Sequence, residues 1–282
     1  MQILNILEPY PLGELGHNGA ETLHLMAEAM KLAYADRSEH LGDPDFWPVP
    51  VAGLTAKAYA EALRATIDPE RARPADEIKP GDPGPYESPQ TTHFSVMDRW
   101  GNAVSNTYTL NFGYGSGIVA AGTGILLNNE MDDFSAKPGV PNAYGLIGGE
   151  ANKIEPGKRP LSSMSPTLVA KDGKIVMTLG AAGGPRIISS VIQTIYRVLV
   201  TGLDIDRAVQ FPRVHHQFLP NKLYMDEFKF SPEIVTGLQQ RGHQTVEQRP
   251  SYLGRIKAVR LNDKNYLEAT FDNRSEGAVG GY

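Results

Sequence analysis

The stretch Gln90-Thr91-Thr92-His93-Phe94-Ser95-Val96-Met97-Asp98 decides how the rest of the chain is interpreted. It is rich in β-branched and aromatic residues, and Gly101-Asn102 separates it from a second run of the same kind, residues 103–110. Such residues favour strands, and a short turn between two such runs is typical of a hairpin. The sequence therefore predicts two strands joined by a short turn, the first beginning at Thr91.

The segment before this hairpin, residues 73–90, has a different composition, with prolines at positions 74, 80, 83, 85 and 89 among glycines and acidic residues. This composition predicts an extended tether that ends at Gln90. If the Gln90–Thr91 bond were cut, Thr91 would have a free α-amino group beside its own hydroxyl. An amine of this kind, with a pKa near about 8, is a suitable general base for a threonine nucleophile. On residue type alone, however, Thr91 is an ordinary strand former.

The remaining pattern mixes helices with hairpins. Residues 20–40 are spaced as an amphipathic helix with Glu21 and Glu28 on its polar side, and the turn residues 41–45 end it. Lys171-Asp172-Gly173-Lys174 predicts a hairpin turn. Helices are further predicted over 55–66, 187–200, 205–210 and 232–241, and strands over 165–170, 175–179, 256–261 and 267–271. This order favours an α+β fold over a doubly wound sheet.

Composition excludes several classes of function. Of 282 residues, 41% are hydrophobic and 21% charged, as in ordinary globular proteins, and the net charge of −5 disfavours nucleic-acid binding. There is no cysteine, so disulfides and thiolate chemistry are absent. The seven histidines form no HExxH pattern, and the adjacent His215 and His216 would point to opposite faces of a strand. We therefore expect no metal site, no cofactor, no membrane segment and no visible signal peptide.

Four blocks of the sequence resemble γ-glutamyltransferases, in the same order along the chain. They are residues 90–104 around Thr91, Asn128-Asn129-Glu130-Met131-Asp132-Asp133-Phe134-Ser135, Lys158-Arg159-Pro160-Leu161-Ser162-Ser163-Met164-Ser165-Pro166, and Gly183-Gly184-Pro185-Arg186-Ile187. The upstream runs Tyr34-Ala35-Asp36-Arg37 and Leu41-Gly42-Asp43-Pro44 resemble the end of that family's large subunit. The similarity covers essentially the whole chain.

This resemblance implies the four-layer αββα sandwich of the N-terminal-nucleophile hydrolases, here incomplete. Residues 1–90 correspond to the end of the large subunit with its tether, and residues 91–282 to the small catalytic subunit. The missing part supplies an arginine for the substrate carboxylate. The chain is therefore expected to need that segment as a partner, and to expose strand edges and apolar faces without it.

The resemblance also implies a reaction. The precursor cleaves itself between Gln90 and Thr91, and the mature Thr91 then attacks a γ-glutamyl amide such as glutathione. A γ-glutamyl-Thr91 ester forms, which water or an acceptor amine resolves.

Roles for further residues follow from the same resemblance. Thr109 would hydrogen-bond the nucleophile, and Gly183 and Gly184 would form the oxyanion hole. The substrate ammonium would be bound by Asn111, Glu130 and Asp133. Its carboxylate would be bound by Ser162 and Ser163, and the pocket would be gated by Tyr144. Asp132, placed beside Asp133 on an alternating strand, would face the other way.

Two other functions stay open at this point. The chain could be a catalytically inert fragment or an assembly partner, or it could be a related acylase that acts on β-lactam side chains. Bacterial members of the family are commonly periplasmic or secreted, which is the expectation for the parent protein.

Overall fold

A computed structural model describes residues 1–79, 92–142, 146–248 and 252–281. The chain divides into two compact units that alternate along the sequence. The first unit comprises Met1–Ser88, Glu130–Ser162 and Val214–Gln248, and the second comprises Pro89–Asn129, Ser163–Arg213 and Arg249–Tyr282. The sequence predicted a boundary between two subunits at residue 90, where the backbone would be cut. That boundary is a cleavage site rather than a limit of these compact units, and it stays a prediction.

The second unit is layered. Strands β1 (Thr92–Met97) and β2 (Ala103–Tyr108) form the predicted antiparallel hairpin. β3 (Thr167–Lys171), β4 (Lys174–Ala182), β8 (Arg255–Leu261) and β9 (Leu267–Phe271) form a four-stranded antiparallel sheet in the order β3-β4-β8-β9. The turn at Asp172 and Gly173 has positive φ at both residues (51° and 76°), which is the backbone that a two-residue hairpin requires.

Alternation along β4 places the two neighbouring layers on opposite faces of this sheet. Met177, Leu179 and Ala181 pack in an apolar cluster with helices α5 (Arg186–Leu199) and α6 (Ile205–Gln210). The opposite face meets the β1–β2 hairpin, where the Thr178 hydroxyl donates to the carbonyl of Val104 over 3.0 Å. The second unit therefore has a helix layer and two sheet layers, in agreement with the predicted α+β class and with an incomplete αββα sandwich.

The first unit is built around one helix. Helix α2 (Ala20–His40) contacts α1 (Gln2–Leu7), and α1 contacts α4 (Lys57–Arg64), which follows the short α3 (Val51–Leu54). The three-stranded sheet β5-β6-β7 and helix α7 (Pro232–Gln240) share a second apolar cluster with α2. The strands are β5 (Val214–His215), β6 (Leu223–Asp226) and β7 (Thr245–Gln248), with β6 and β7 parallel.

Helix α2 differs from its predicted amphipathic character, because every residue from Thr22 to Arg37 is buried. Glu21 is exposed as expected, but Glu28 is buried and forms an ion pair with the equally buried Lys31. Elements on several sides cover the helix, so its polar residues must find partners inside the protein. Asp36 does so by accepting a hydrogen bond from Tyr59 (2.9 Å) and another from Gln2.

A buried pair of histidines completes the interior of the first unit. The Nε2–H of His24 donates to the carbonyl of Asp68 (2.8 Å), so its Nδ1 is an acceptor and receives the Nε2–H of His243 (2.8 Å). Burial lowers the pKa of His24, lowers that of His243 to about 2, and holds that of the buried His216 well below its ordinary value. All three imidazoles are therefore neutral in the folded state.

The buried histidines predict a loss of stability in mild acid. The unfolded chain binds protons below its histidine pKa of about 6.5 and the folded chain does not, so the free energy of unfolding falls as pH drops below that value. His243, whose folded-state pKa is about 2, contributes roughly 2 kcal/mol of this loss between pH 6.5 and pH 5. The raised pKa values of the carboxyl groups of Glu28, Glu130 and Asp132 oppose this trend, because these groups bind protons more readily in the folded chain. Urea unfolding of His243→Gln should show a shallower pH dependence than the parent, whereas His17→Gln, at an exposed site, should not.

Candidate active site

Three of the predicted site residues, Gln90, Thr91 and Tyr144, lie outside the described residues. The described chain resumes at Thr92, the first residue of β1, so the strand starts directly after the predicted nucleophile. Of the remaining candidates, the second unit holds Thr109, Asn111, Ser163, Gly183 and Gly184, and the first unit holds Glu130, Asp133 and Ser162.

The turn after β2 brings Thr109 and Asn111 together. The Thr109 hydroxyl oxygen accepts the backbone N–H of Asn111 at 2.8 Å, and the Asn111 side-chain amide donates to the carbonyl of Asn129 at 3.1 Å. Asn129 in turn accepts the N–H of Phe112 on its side-chain oxygen. The Asn128-Asn129 motif thus fixes the turn that carries both predicted residues.

Asn111 has two features that are typical of a functional residue. Its φ of 68° lies in the left-handed region, which few residues other than glycine adopt and which asparagine tolerates better than most of them. Its side-chain Oδ1 is buried and has no hydrogen-bond partner among the described residues. An unsatisfied buried acceptor of this kind is expensive, and a substrate ammonium would satisfy it. The arrangement suits the ammonium-binding role that the sequence predicted.

The glycine pair lies at the start of α5. Gly183 and Gly184 have positive φ values of 137° and 65°, and Gly184 accepts the first turn's N–H from Ile187 at 2.9 Å. A Cβ on Gly183 would lie 2.8 Å from the Cα of Gly254, so a side chain has no room there. Arg186 donates to the carbonyl of Gly183 (3.3 Å) and stacks on the ring of Tyr252. Both glycines are therefore required by the backbone, at a helix N-terminus that favours negative charge.

The acidic turn differs from its prediction, because Asp132 and Asp133 do not lie on a strand. Residues Glu130–Asp133 form a 3-10 helix, in which side chains three residues apart share one face. The Glu130 and Asp133 carboxyl groups are accordingly hydrogen-bonded to each other. Burial raises the pKa of Glu130, against the effect of that hydrogen bond, and burial also raises the pKa of Asp132.

A cavity of about 210 Å³ adjoins this turn in the first unit. Asp132, Asp133 and Ser135 line it from one side, and Leu146, Gly148 and Asn152 contribute to the rest. The buried Oδ2 of Asp132 and Oγ of Ser135 have no hydrogen-bond partner among the described residues. Asp132 and Asp133 therefore both reach the cavity, contrary to the expectation that they would face opposite ways. The concentration of acidic groups makes the cavity suited to a cationic group.

The serine segment is anchored from two sides within the first unit. Arg159 donates from its backbone N–H and from Nε to the same oxygen of the buried Asp43, each at 2.9 Å. Hydrogen bonds from Arg159 hold the pKa of the Asp43 carboxyl far below its usual range. The backbone N–H of Leu161 donates to the side chain of Asn152. Ser162, which follows, is exposed, and Ser163 is buried in the second unit.

His93 holds the strand that follows the predicted nucleophile, and the sequence alone did not single it out. Thr107 donates to its Nδ1 (2.8 Å), its Nε2–H donates to Ser95 Oγ (2.9 Å), and Ser95 donates to the carbonyl of Lys257. Burial and the nearby Lys257 lower the pKa of His93 to about 4. The ring lies against Gly180, where a Cβ would come within 2.4 Å of it. A neutral imidazole therefore fastens β1 near its first residue, Thr92. The only signal in the sequence was its inward position on the predicted strand.

One group of side chains in the described part of the chain has the composition of a metal site. His24, Glu28 and His243 offer ligand atoms that lie within 4.8 Å of one another, and all three residues are buried. Lys31 already supplies a cation to Glu28, and the two histidines satisfy each other. Each of the three residues therefore already has a partner inside the protein. No helix among the described residues is long and apolar enough to span a bilayer.

Comparison with known proteins supports the resemblance seen in the sequence. A family model described as Gamma-glutamyltranspeptidase matches residues 1–282. The glutathione hydrolase proenzyme of Escherichia coli (strain K12) is 50% identical over 275 residues, which are 98% of this chain and 47% of that relative. The chain therefore spans about half the length of the curated relatives it matches.

Solved structures give the same result. A γ-glutamyltranspeptidase from Pseudomonas nitroreducens complexed with L-DON is 47% identical, with a TM-score of 0.65 over 68% of this chain and 100% of that one. A cephalosporin acylase from Bacillus halodurans is 25% identical, with a TM-score of 0.85 over 100% of this chain and 48% of that one.

The glycine pair generates a stability prediction. Gly183→Ala should lower the free energy of unfolding through left-handed strain of about 1–2 kcal/mol and through the contact with Gly254, which requires a backbone shift of similar cost. Gly173→Ala is the matched control, because its φ is 76° but nothing lies within 4 Å of the added Cβ. Urea unfolding midpoints measure both variants. Equal losses in the two would show that the close approach at Gly183 carries no energetic weight.

Proposed function

Because the chain belongs to the γ-glutamyltranspeptidase family, we propose that it supplies the nucleophile and much of the substrate pocket of an enzyme that transfers or hydrolyses γ-glutamyl groups. Its donor would be glutathione or another γ-glutamyl amide. The observation that carries this proposal is Asn111, a buried residue in strained backbone with an unsatisfied acceptor beside Thr109. Such a residue is costly for a structural turn and useful for holding a substrate ammonium.

The proposed chemistry starts with self-cleavage. The Thr91 hydroxyl attacks the carbonyl of Gln90, the peptide nitrogen leaves as the free α-amine of Thr91, and water hydrolyses the resulting ester. That amine then takes the hydroxyl proton when Thr91 attacks the γ-carbonyl of the donor. The backbone N–H groups of Gly183 and Gly184 stabilise the oxyanion, and the leaving amine takes up the proton. Water or an acceptor amine finally attacks the γ-glutamyl ester and frees Thr91.

The proposed pocket binds the two charged groups of the donor with two separate sets of residues. Asn111, Glu130 and Asp133 would hold the α-ammonium of the donor, and Ser162 and Ser163 its α-carboxylate. Tyr144 would cover the pocket. Two hydroxyl groups are a weaker carboxylate site than hydroxyls with an arginine, and the loss of one charged hydrogen bond costs roughly 1.5–3 kcal/mol. We propose that a preceding segment of the kind found in the longer relatives supplies that cation.

The outer face of the β1–β2 hairpin supports the need for a further segment. Phe94, Val96, Val104 and Tyr108 lie on this face and are between 44% and 60% exposed. A contiguous apolar face of this kind is typical of a surface that another part of a protein covers. Like the bacterial members of its family, the parent protein is proposed to act in the periplasm or outside the cell.

Two alternatives remain. A related β-lactam acylase would share the fold, as the cephalosporin acylase from Bacillus halodurans does over the whole length of this chain. The acidic groups favour an amino-acid-like donor. A glutaryl group, which is a glutamyl group without its α-amine, would leave the carboxylates of Glu130 and Asp133 without a cation to bind. An inert fragment would keep the fold and perform neither reaction.

Self-cleavage is tested by intact mass over time. The purified chain should split into pieces of residues 1–90 and 91–282, and Thr91→Ala should stay whole. Thr92→Ala is the matched control, because it removes a neighbouring exposed hydroxyl and should leave cleavage intact. Equal splitting of Thr91→Ala would reject the nucleophile. A chain that neither splits nor hydrolyses γ-glutamyl anilide, even with the corresponding preceding segment of the E. coli relative added, would favour the inert fragment.

The ammonium site is tested by comparing two adjacent carboxylates. Asp133→Asn should raise KM for γ-glutamyl anilide about 10- to 100-fold, since it weakens one charged hydrogen bond. Asp132→Asn should change KM less than about threefold, because Asp132 lines the cavity without forming the pair with Glu130. Steady-state kinetics with γ-glutamyl and glutaryl anilides separate the candidates. Faster turnover of the glutaryl compound would favour the acylase.

A further inference from the structure

Asn152 occupies an unusual position in the first unit. It ends the 3-10 turn Glu150–Asn152, and its side chain is completely buried. Its Nδ2 donates to the carbonyl of Asp133 at 2.7 Å, and its Oδ1 accepts the N–H of Leu161 at 3.2 Å. Its own carbonyl accepts the N–H of Ser135 at 2.9 Å. One residue thus joins the acidic turn to the serine segment through three hydrogen bonds.

Each of the two joined segments is also held by contacts of its own. The acidic turn is a single 3-10 helix followed by Ser135. The Ser135 side chain packs on Gly148, where an added Cβ would lie 2.1 Å from the Ser135 Oγ. The serine segment is held on its far side by Arg159 and Asp43, and Gly42 lies against the backbone of Ala151. Asn152 is therefore the direct hydrogen-bonded connection between two otherwise separately anchored backbones.

We propose that Asn152 is a positioning residue that sets the spacing between the ammonium-binding carboxylate of Asp133 and the carboxylate-binding hydroxyl of Ser162. An α-amino acid presents its two charged groups at a fixed separation, and a site that recognises both must keep its own groups at a matching distance. A buried side chain whose donor and acceptor are both bonded to the protein backbone fixes that distance. This inference rests on the proposed γ-glutamyl function of the same site.

The amide is well suited to this task because its two ends are not interchangeable. The Asp133 carbonyl needs a donor and the Leu161 N–H needs an acceptor, so only an amide of this length satisfies both. Asn152→Asp keeps the shape and the acceptor but places an oxygen opposite the Asp133 carbonyl. It therefore separates the acidic turn from the serine segment while the bond to Leu161 persists.

The chain offers a matched control in Asn5. This residue is also buried in the first unit, and its Nδ2 donates to the carbonyl of Thr55 at 2.9 Å. Asn5→Asp removes the same kind of hydrogen bond at a place where no predicted substrate ligand is involved. A general loss of stability would appear in both variants, whereas a change in ligand spacing would appear only at Asn152.

The experiment measures binding by the full chain of two ligands, L-glutamate, which has the α-ammonium, and glutarate, which lacks it. Calorimetry should show that Asn152→Asp weakens L-glutamate binding at least about tenfold, leaves glutarate within about threefold, and so reduces discrimination between them. Asn5→Asp should leave both affinities unchanged. Asp43→Asn, which loosens the far side of the serine segment, should shift L-glutamate binding in the same direction and serves as the second variant if Asn152→Asp does not fold.

The γ-glutamyl function and the positioning role of Asn152 are contradicted by different results. If the parent chain does not prefer L-glutamate over glutarate, even with the corresponding preceding segment of the E. coli relative added, the γ-glutamyl function itself is overturned, and the inference with it. If the parent discriminates and folded Asn152→Asp discriminates equally well, Asn152 has a structural role only and the inference is wrong. Equal losses in Asn152→Asp and Asn5→Asp would also reject it, because that result reflects stability rather than spacing.

Discussion

The close approach of two sheets in the second unit is the constraint on which the rest of that unit depends. Gly180 lacks a side chain, so the ring of His93 lies directly on the backbone of β4. Around this contact, serine and threonine hydroxyls bond across the layers, as Ser105 does to the carbonyl of Leu179 at 2.9 Å. Each polar group between the sheets therefore has a partner, which is what allows a polar strand to be buried.

This constraint fixes the strand that begins directly after the predicted nucleophile in the sequence. The strand β1 follows Thr91 directly, and a nucleophile must be positioned within a fraction of an ångström of its target. The lowered pKa of His93 keeps its ring neutral, so the link through Thr107 and Ser95 persists across the physiological pH range. On the other face of the sheet, an apolar helix layer supports the same strands.

The first unit differs from the second in that it buries charged side chains. Its central helix carries Glu28, Lys31 and Asp36 in the interior, each with a partner, and burial keeps His24, His216 and His243 neutral. Buried ionic groups of this kind are costly unless fully paired, and they hold neighbouring segments in one arrangement. Asn152 and the Asp43–Arg159 pair apply the same principle where the predicted ligands lie. Polar contacts, rather than apolar packing alone, thus define the surroundings of the acidic cavity.

The sequence by itself determined the elements whose signals are local. The β1–β2 hairpin, the Asp172-Gly173 turn and helices α5, α6 and α7 follow from periodicity and turn residues. The family and its candidate residues follow from four long motifs, although Thr91 and Tyr144 lie outside the described residues and their roles stay predictions. Only the tertiary structure decided the burial of Glu28, the 3-10 conformation of Glu130–Asp133, the short parallel pairing of β6 with β7, and the links made by His93 and Asn152. These features depend on partners distant in the chain, such as Asp43 for Arg159, and no local pattern of residue types specifies which distant group will meet which.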